Sequence, residues 1–227
     1  MARKSQTMDQ RKPITLNLVE KLLNVLNAVC FDDFEVTLFQ CLFSFTYFVA
    51  FRISEIVASS KTADIELRSV NVTLFKQRLK IIIGKSKTDQ VGRGNIIWLG
   101  PIKNTFLCPV SNYCRFLAVR PKSGSQFFIH HNKTPVTRFQ FNKVLQKCVT
   151  SLGLQDEIYS SHSFRIGAAT QASLLGFTEE RIKKLGRWQS HRFHGIHLSE
   201  FGLDIFNIGL QTALERALLR WEVAKPH

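Results

Sequence analysis

The run Leu38 to Phe51, LFQCLFSFTYFVAF, constrains this chain more than any other stretch. It is 14 residues long, nearly continuous in apolar and aromatic side chains, and ends at Arg52. A bilayer span needs about 20 such residues, so the run is too short to cross a membrane. An element that is apolar on every side has to be surrounded by others. The expectation is a buried helix from about Glu35 to Ala50, with the remaining elements packed around it.

A chain of 227 residues, 44% hydrophobic and 21% charged, has enough material for one good core. Lys and Arg number 31 against 17 Asp and Glu, a formal charge of +14. Cations in that excess, spread along the sequence, point to a polyanionic partner, nucleic acid before others. Met1 to Lys12 is polar and basic with no apolar region behind it, so it reads as a flexible arm and not as a signal peptide. Residues 13–227 read as one domain. The five cysteines (Cys30, Cys41, Cys108, Cys114, Cys148) are odd in number and lack paired CxxC spacing. They read as reduced thiols in an intracellular setting, nuclear in a eukaryotic host, and neither a metal nor another cofactor is expected.

Periodicity gives the remaining elements. Leu16 to Val29 repeats apolar residues at helical spacing. Val70 to Phe75 and Leu79 to Ile83 flank Lys76-Gln77-Arg78 and read as a hairpin, with a third strand from Asn95 to Leu99. Further helices are expected from Val110 to Val119, Thr137 to Leu152, Ser163 to Leu175, Thr178 to Leu185 and Leu203 to Val223. Phe139, Phe141, Val144, Leu145, Cys148 and Val149 are expected to face inward. Gly84-Lys85-Ser86 has pieces of a P-loop, but Leu79 stands where its first glycine must be and no helix follows, which excludes nucleotide binding of that kind.

The chemistry gathers in three basic elements. His162-Ser163-Phe164-Arg165 opens a helix, and residues three apart share one face of a helix turn. The helix N-terminus adds unpaired N–H groups beside them. A planar guanidinium fork with an imidazole that titrates near neutrality suits a phosphodiester. Arg52 follows the long apolar run, and Glu55, three residues on, can hold one edge of its guanidinium. Lys87 lies in the turn region before the third strand, and Gly186-Arg187-Trp188 follows the His-x-x-Arg helix.

This order, carried by FRISEIV, GKSKTDQVGRG, CPV, VRP, TPVTRFQF, SHSFRIGAAT and LGRWQS, resembles the catalytic domain of tyrosine recombinases and integrases. Within them it looks closest to the retroelement enzymes of the DIRS and Ngaro kind. The resemblance runs from about Leu38 to Gly195 and implies an α+β fold, mainly helical with a small three-stranded antiparallel sheet. It implies double-stranded DNA as partner and two arginines and a histidine that neutralise charge on a phosphate in flight. A hairpin lysine would act as general acid, and a tyrosine would form a covalent 3′-phosphotyrosine. Carried over, Arg52, His162 and Arg165 are the phosphate-binding residues and Glu55 the buttress of Arg52. Lys87 is the hairpin acid, with Lys85 a less favoured substitute, and Trp188 matches the family's second His or Trp. Lys85, Arg93, Arg187 and Arg192 are expected to touch DNA. The C-terminal helix is expected to dock on a second copy, as in relatives that form cyclic assemblies.

The nucleophile breaks the pattern. Relatives of this kind tend to read GRWxSxxYxxYI, whereas here Phe193 holds the first tyrosine position and Ile196 that of the attacking residue. Beyond Tyr159 there is no tyrosine, and an isoleucine has no lone pair with which to attack phosphorus. The favoured expectation is a DNA-binding, cleavage-deficient domain. Its alternatives are an active strand transferase, using His197, another residue or a partner's tyrosine, and a non-catalytic interaction module or decayed element copy. His191, His194 and His197 recur every three residues, but Gly195 weakens that helix and the set reads as a cationic segment, not a metal site. About 34 residues precede the long apolar helix, too few for the helical clamp domain of the family. The chain is therefore expected to be the catalytic-type half alone or a fragment of a longer product.

Overall fold

The computed structural model describes residues 10–63, 67–84, 94–122 and 124–187. Residues 1–9, 85–93 and everything from Trp188 onward lie outside the described residues. With them lie the expectations for Lys85, Lys87, Arg93, Trp188, Arg192, Ile196, the three histidines and the C-terminal helix.

The long apolar run does form the central helix. Helix α1 spans Leu16–Val29 and α2 spans Asp33–Phe48. Thr15 caps α1 and Asp32 caps α2, each side-chain oxygen accepting from the backbone three residues on. From Leu38 to Phe48 every side chain of α2 is buried. Its two flanks carry different aromatic clusters. On one, Phe43 meets Phe141 and Phe164, each with ring centroids 5.3 Å apart. On the other, Phe45 stacks on Tyr113 and Phe127 and meets Phe128 edge-on. Burying a Phe is worth about 1.5–3 kcal/mol in transfer alone, and this explains where much of the chain's phenylalanine goes.

The helix stops at Phe48, two residues before the expected end at Ala50. Ala50 adopts φ 49°, which turns the chain without glycine or proline. Arg52 then sits in extended backbone at the start of the short helix α3, Ile53–Ile56.

Strands β1 (Val72–Phe75), β2 (Arg78–Ile83) and β3 (Asn95–Leu99) form an antiparallel sheet in that order. The β1–β2 turn is two residues, Lys76 and Gln77, both at positive φ, which matches the twist a tight hairpin needs. Helix α4 covers Pro109–Val119, α5 Arg138–Ser151, α6 Ser161–Leu174 and α7 Glu179–Gly186. Tyr113 of α4 donates to the Val72 carbonyl and so fixes the sheet to the helical body. Phe139 is 69% exposed, contrary to the inward expectation. It is two residues from Phe141, and side chains two apart on a helix face different ways.

Helix α6 begins with Ser160 in extended backbone, and Ser163 Oγ accepts from the Ser160 N–H at 3.1 Å. The segment before α1 lies across this start: Lys12 N–H donates to Ile158 O and Ile14 N–H to Ser163 O. Ile14 is fully buried against α6 where Gly167 leaves room for its carbonyl.

Candidate functional site

The break at Ala50, the start of α6 and the end of α7 meet at one place. Arg165, in the first turn of α6, is 3% exposed and donates Nη1 to the Ala50 carbonyl and Nη2 to the Gly186 carbonyl at 2.9 Å. Arg52 donates Nη2 to the Arg187 carbonyl at 2.9 Å and Nη1 to Glu55 Oε1 at 3.0 Å. Two guanidiniums from distant parts of the sequence thus converge on the same turn, Gly186-Arg187. His162 is half-buried on the first turn of α6, three residues before Arg165.

Glu55 organises the cluster. Its carboxylate accepts from the Arg52 backbone N–H at 2.8 Å, from Arg52 Nη1, and from Arg187 Nη2 at 2.8 Å. Burial alone would raise its pKa, but Arg187's charge and the Arg52 hydrogen bonds outweigh that and hold it below the usual glutamate value. Arg165 is displaced the other way. Burial, then the charges of Arg187 and Arg52, lower it well below the usual arginine range, with Glu55 only partly offsetting them. A site with that imbalance favours anything that brings negative charge to it.

The sequence suggested Arg187 as a DNA contact, and the structure turns its side chain inward. That side chain is 6% exposed, bonded to Glu55 and donating to the Val49 and Ala50 carbonyls at 3.2 and 3.4 Å. It reaches there because Arg187 ends α7 with φ 53°, a left-handed turn that follows Gly186. Nothing in the local spacing announces the Arg187–Glu55 pair, since its members are 132 residues apart. The carbonyls of Val49 and Ala50 were invisible to a reading of side chains.

All three tyrosines of the chain are described, and all serve the core. Tyr47 and Tyr113 are buried, Tyr159 is half-buried against the core, and burial raises the hydroxyl pKa of each. The five cysteines are free thiols. Among the described residues no helix is long and apolar enough to cross a membrane.

No protein-family model matches the chain, and no curated protein matches it. Solved structures do. XerH site-specific recombinase, in a pre-cleavage complex with its difH substrate, superposes with a TM-score of 0.60 at 18% identity, over 79% of this chain and 48% of that one. XerA recombinase gives 0.55 at 14%, over 82% and 57%. FLP recombinase in a Holliday-junction complex gives 0.53 at 16%, over 92% and 54%. The fold is that of a tyrosine-recombinase catalytic domain. The chain spans about half the length of the XerH chain it matches. Within this recombinase fold, the convergence of Arg52 and Arg165 places two widely separated basic motifs in one corner of the domain.

Proposed function

We propose that this chain binds duplex DNA through a recombinase-type phosphate pocket and does not cleave it. The observation that carries the reading is the convergence of Arg52 and Arg165 on the Gly186-Arg187 turn. An electropositive corner braced by backbone carbonyls costs stability unless an anion offsets it, and a backbone phosphate is the anion a domain of +14 charge meets on DNA. His162 and Lys87 complete the pocket in this proposal, His162 from the same helix turn as Arg165 and Lys87 from the β2–β3 connection.

The absence of cleavage follows from Ile196 at the nucleophile position and from the core placement of every tyrosine. The motif phrases also support a kinship with retroelement recombinases of the DIRS and Ngaro kind, and the amphipathic Leu203 to Val223 stretch supports contact with a second copy.

Binding to a random-sequence duplex, titrated at several salt concentrations, tests the pocket. Arg52→Ala and Arg165→Ala should weaken binding and flatten the salt slope by about 0.9 for each phosphate no longer neutralised, in proteins whose melting shows them folded. Unchanged affinity and slope would remove the pocket from the proposal. A nicked suicide duplex tests the other half: a covalent protein–DNA band on a denaturing gel would show that cleavage persists.

A further inference from the structure

The sheet has one face against the helical body and one turned away from it. By register, Val72, Leu79, Ile81, Ile97 and Leu99 point inward and are buried. The opposite face carries Phe75 beside Arg78, with Lys80 beside Trp98 on the neighbouring strands. Phe75 is 55% exposed. Its ring meets the edge of Trp98 at 6.2 Å. Lys76 Nζ lies 5.4 Å from the Phe75 centroid, and over Trp98 lie the Arg78 guanidinium at 5.5 Å and Lys80 Nζ at 6.0 Å. The three strands contain no Asp or Glu.

Cations interleaved with aromatic rings on an outward sheet face suit an occupant that offers both negative charge and flat apolar surface. We infer that this face binds unpaired nucleotides of a nucleic-acid strand, with bases on Phe75 and Trp98 and phosphates on Lys76 and Lys80. Duplex DNA fits less well, because its bases are already stacked on both faces and a phosphate backbone gives the exposed Phe75 ring nothing. An acidic peptide would engage the lysines and leave the rings with little. Single strands use both, stacking on aromatic side chains while their phosphates follow a basic surface. The inference goes beyond the phosphate pocket and does not depend on it, since none of these residues contributes to the Arg52–Arg165 corner.

The test is binding of a labelled oligothymidylate of about 12 nucleotides, within the usual span of single-strand sites, to the full chain and its variants. Phe75→Ala should weaken that binding by about tenfold, Phe75→Trp should retain it, and Lys80→Gln should flatten its salt slope by about 0.7. Binding of a fully paired duplex should be unmoved by Phe75→Ala, and Arg52→Ala should leave the single strand bound. Because Phe75 is largely exposed, its alanine variant is expected to melt like the parent, and the tryptophan variant separates a loss of stacking from a loss of folding. The inference is overturned if Phe75→Ala binds oligothymidylate like the parent, or if the same variant weakens duplex binding equally. It is overturned too if polyglutamate displaces the oligonucleotide as well as an unlabelled strand of equal charge does.

Discussion

Arg187 Nη2 and Glu55 Oε2 are 2.8 Å apart, with side chains 6% and 4% exposed, and their bond ties the end of α7 to the start of α3. Glu55 faces Arg52 on its other side, so one carboxylate serves two guanidiniums. The two partners are therefore unequal. Removing Glu55 leaves two buried or half-buried cations facing each other and a third, Arg165, beside them. Removing Arg187 leaves Glu55 still paired. Glu55→Gln should cost about 3–5 kcal/mol, and Arg187→Met about 2 kcal/mol, the loss of a charged hydrogen bond. Urea midpoints of the two variants check the order, and a larger loss for Arg187→Met would show that Glu55 is not the hub.

The same carboxylate sets an acid limit. Its folded pKa is lowered by Arg187 and Arg52 against the opposing effect of burial. A group whose pKa is lower folded than unfolded stabilises the fold above the unfolded value, about 4.3 for Glu, and loses that contribution as pH falls through the folded one. Stability should thus be flat with pH above about 5 in this respect and decline below it. The difference between the parent chain and Glu55→Gln should shrink steadily below about pH 4.3. Thermal melts from about pH 3 to about pH 7 would read it; a constant difference across that range would contradict the lowered pKa.

A second buried arginine is held by neutral oxygens. Arg120 is 9% exposed and donates to Phe127 O at 2.8 Å, Pro121 O at 2.7 Å, Ser69 Oγ at 2.6 Å and Gln126 O at 2.6 Å. It gathers the loop after α4 and the entry to β1 around one planar group. A lysine has three donors from a single nitrogen and cannot reproduce that fan. Arg120→Lys should cost about 2–4 kcal/mol, and faster amide exchange in β1 should accompany it. A stability loss confined to a few tenths of a kcal/mol would assign the fold's loop order to the backbone alone.

What could be read from the chain followed rules that act locally. The helix starts expected at Leu16, about Glu35, Thr137 and Thr178 fall within two residues of those observed, and the strand expected from Leu79 to Ile83 is β2 with one residue added in front. The pairing of Arg52 with Glu55 was also legible, being a contact of spacing three. What escaped was tertiary. The helix end at Phe48 has no glycine or proline to mark it. It is held by Arg165 and Arg187, whose guanidiniums draw the Val49 and Ala50 carbonyls. The charge of Arg187 suggested a surface, yet a carboxylate 132 residues away made burial the better solution. The hairpin was legible from its flanking strands although its turn has neither glycine nor asparagine; Lys76 and Gln77 take the left-handed positions, and Arg78, expected in the turn, pairs with Phe75.

Gly167 offers the sharpest test of how the chain before α1 is coupled to the site. A Cβ there would overlap the Ile14 carbonyl oxygen and lie 2.6 Å from the Ile14 carbonyl carbon. Both obstacles are backbone, so no side-chain rotation relieves them. Gly167→Ala should lift residues 12–14 from α6, breaking the bond from Ile14 N–H to Ser163 O at 2.9 Å and exposing a side chain that is now fully buried. Exposing an isoleucine costs about 1.5–3 kcal/mol and the backbone bond about 1 more, while alanine's helix propensity returns at most about 1. With that return taken in full, the net loss should be about 1.5–3 kcal/mol by these terms, with protease cleavage near Lys12 much faster than in the parent. Because Ser163 lies between His162 and Arg165, duplex DNA affinity should fall as well in the folded variant. Parent-like proteolysis at Lys12 would mean that α6 moves instead of the segment, and the DNA-binding change would then be the larger of the two effects.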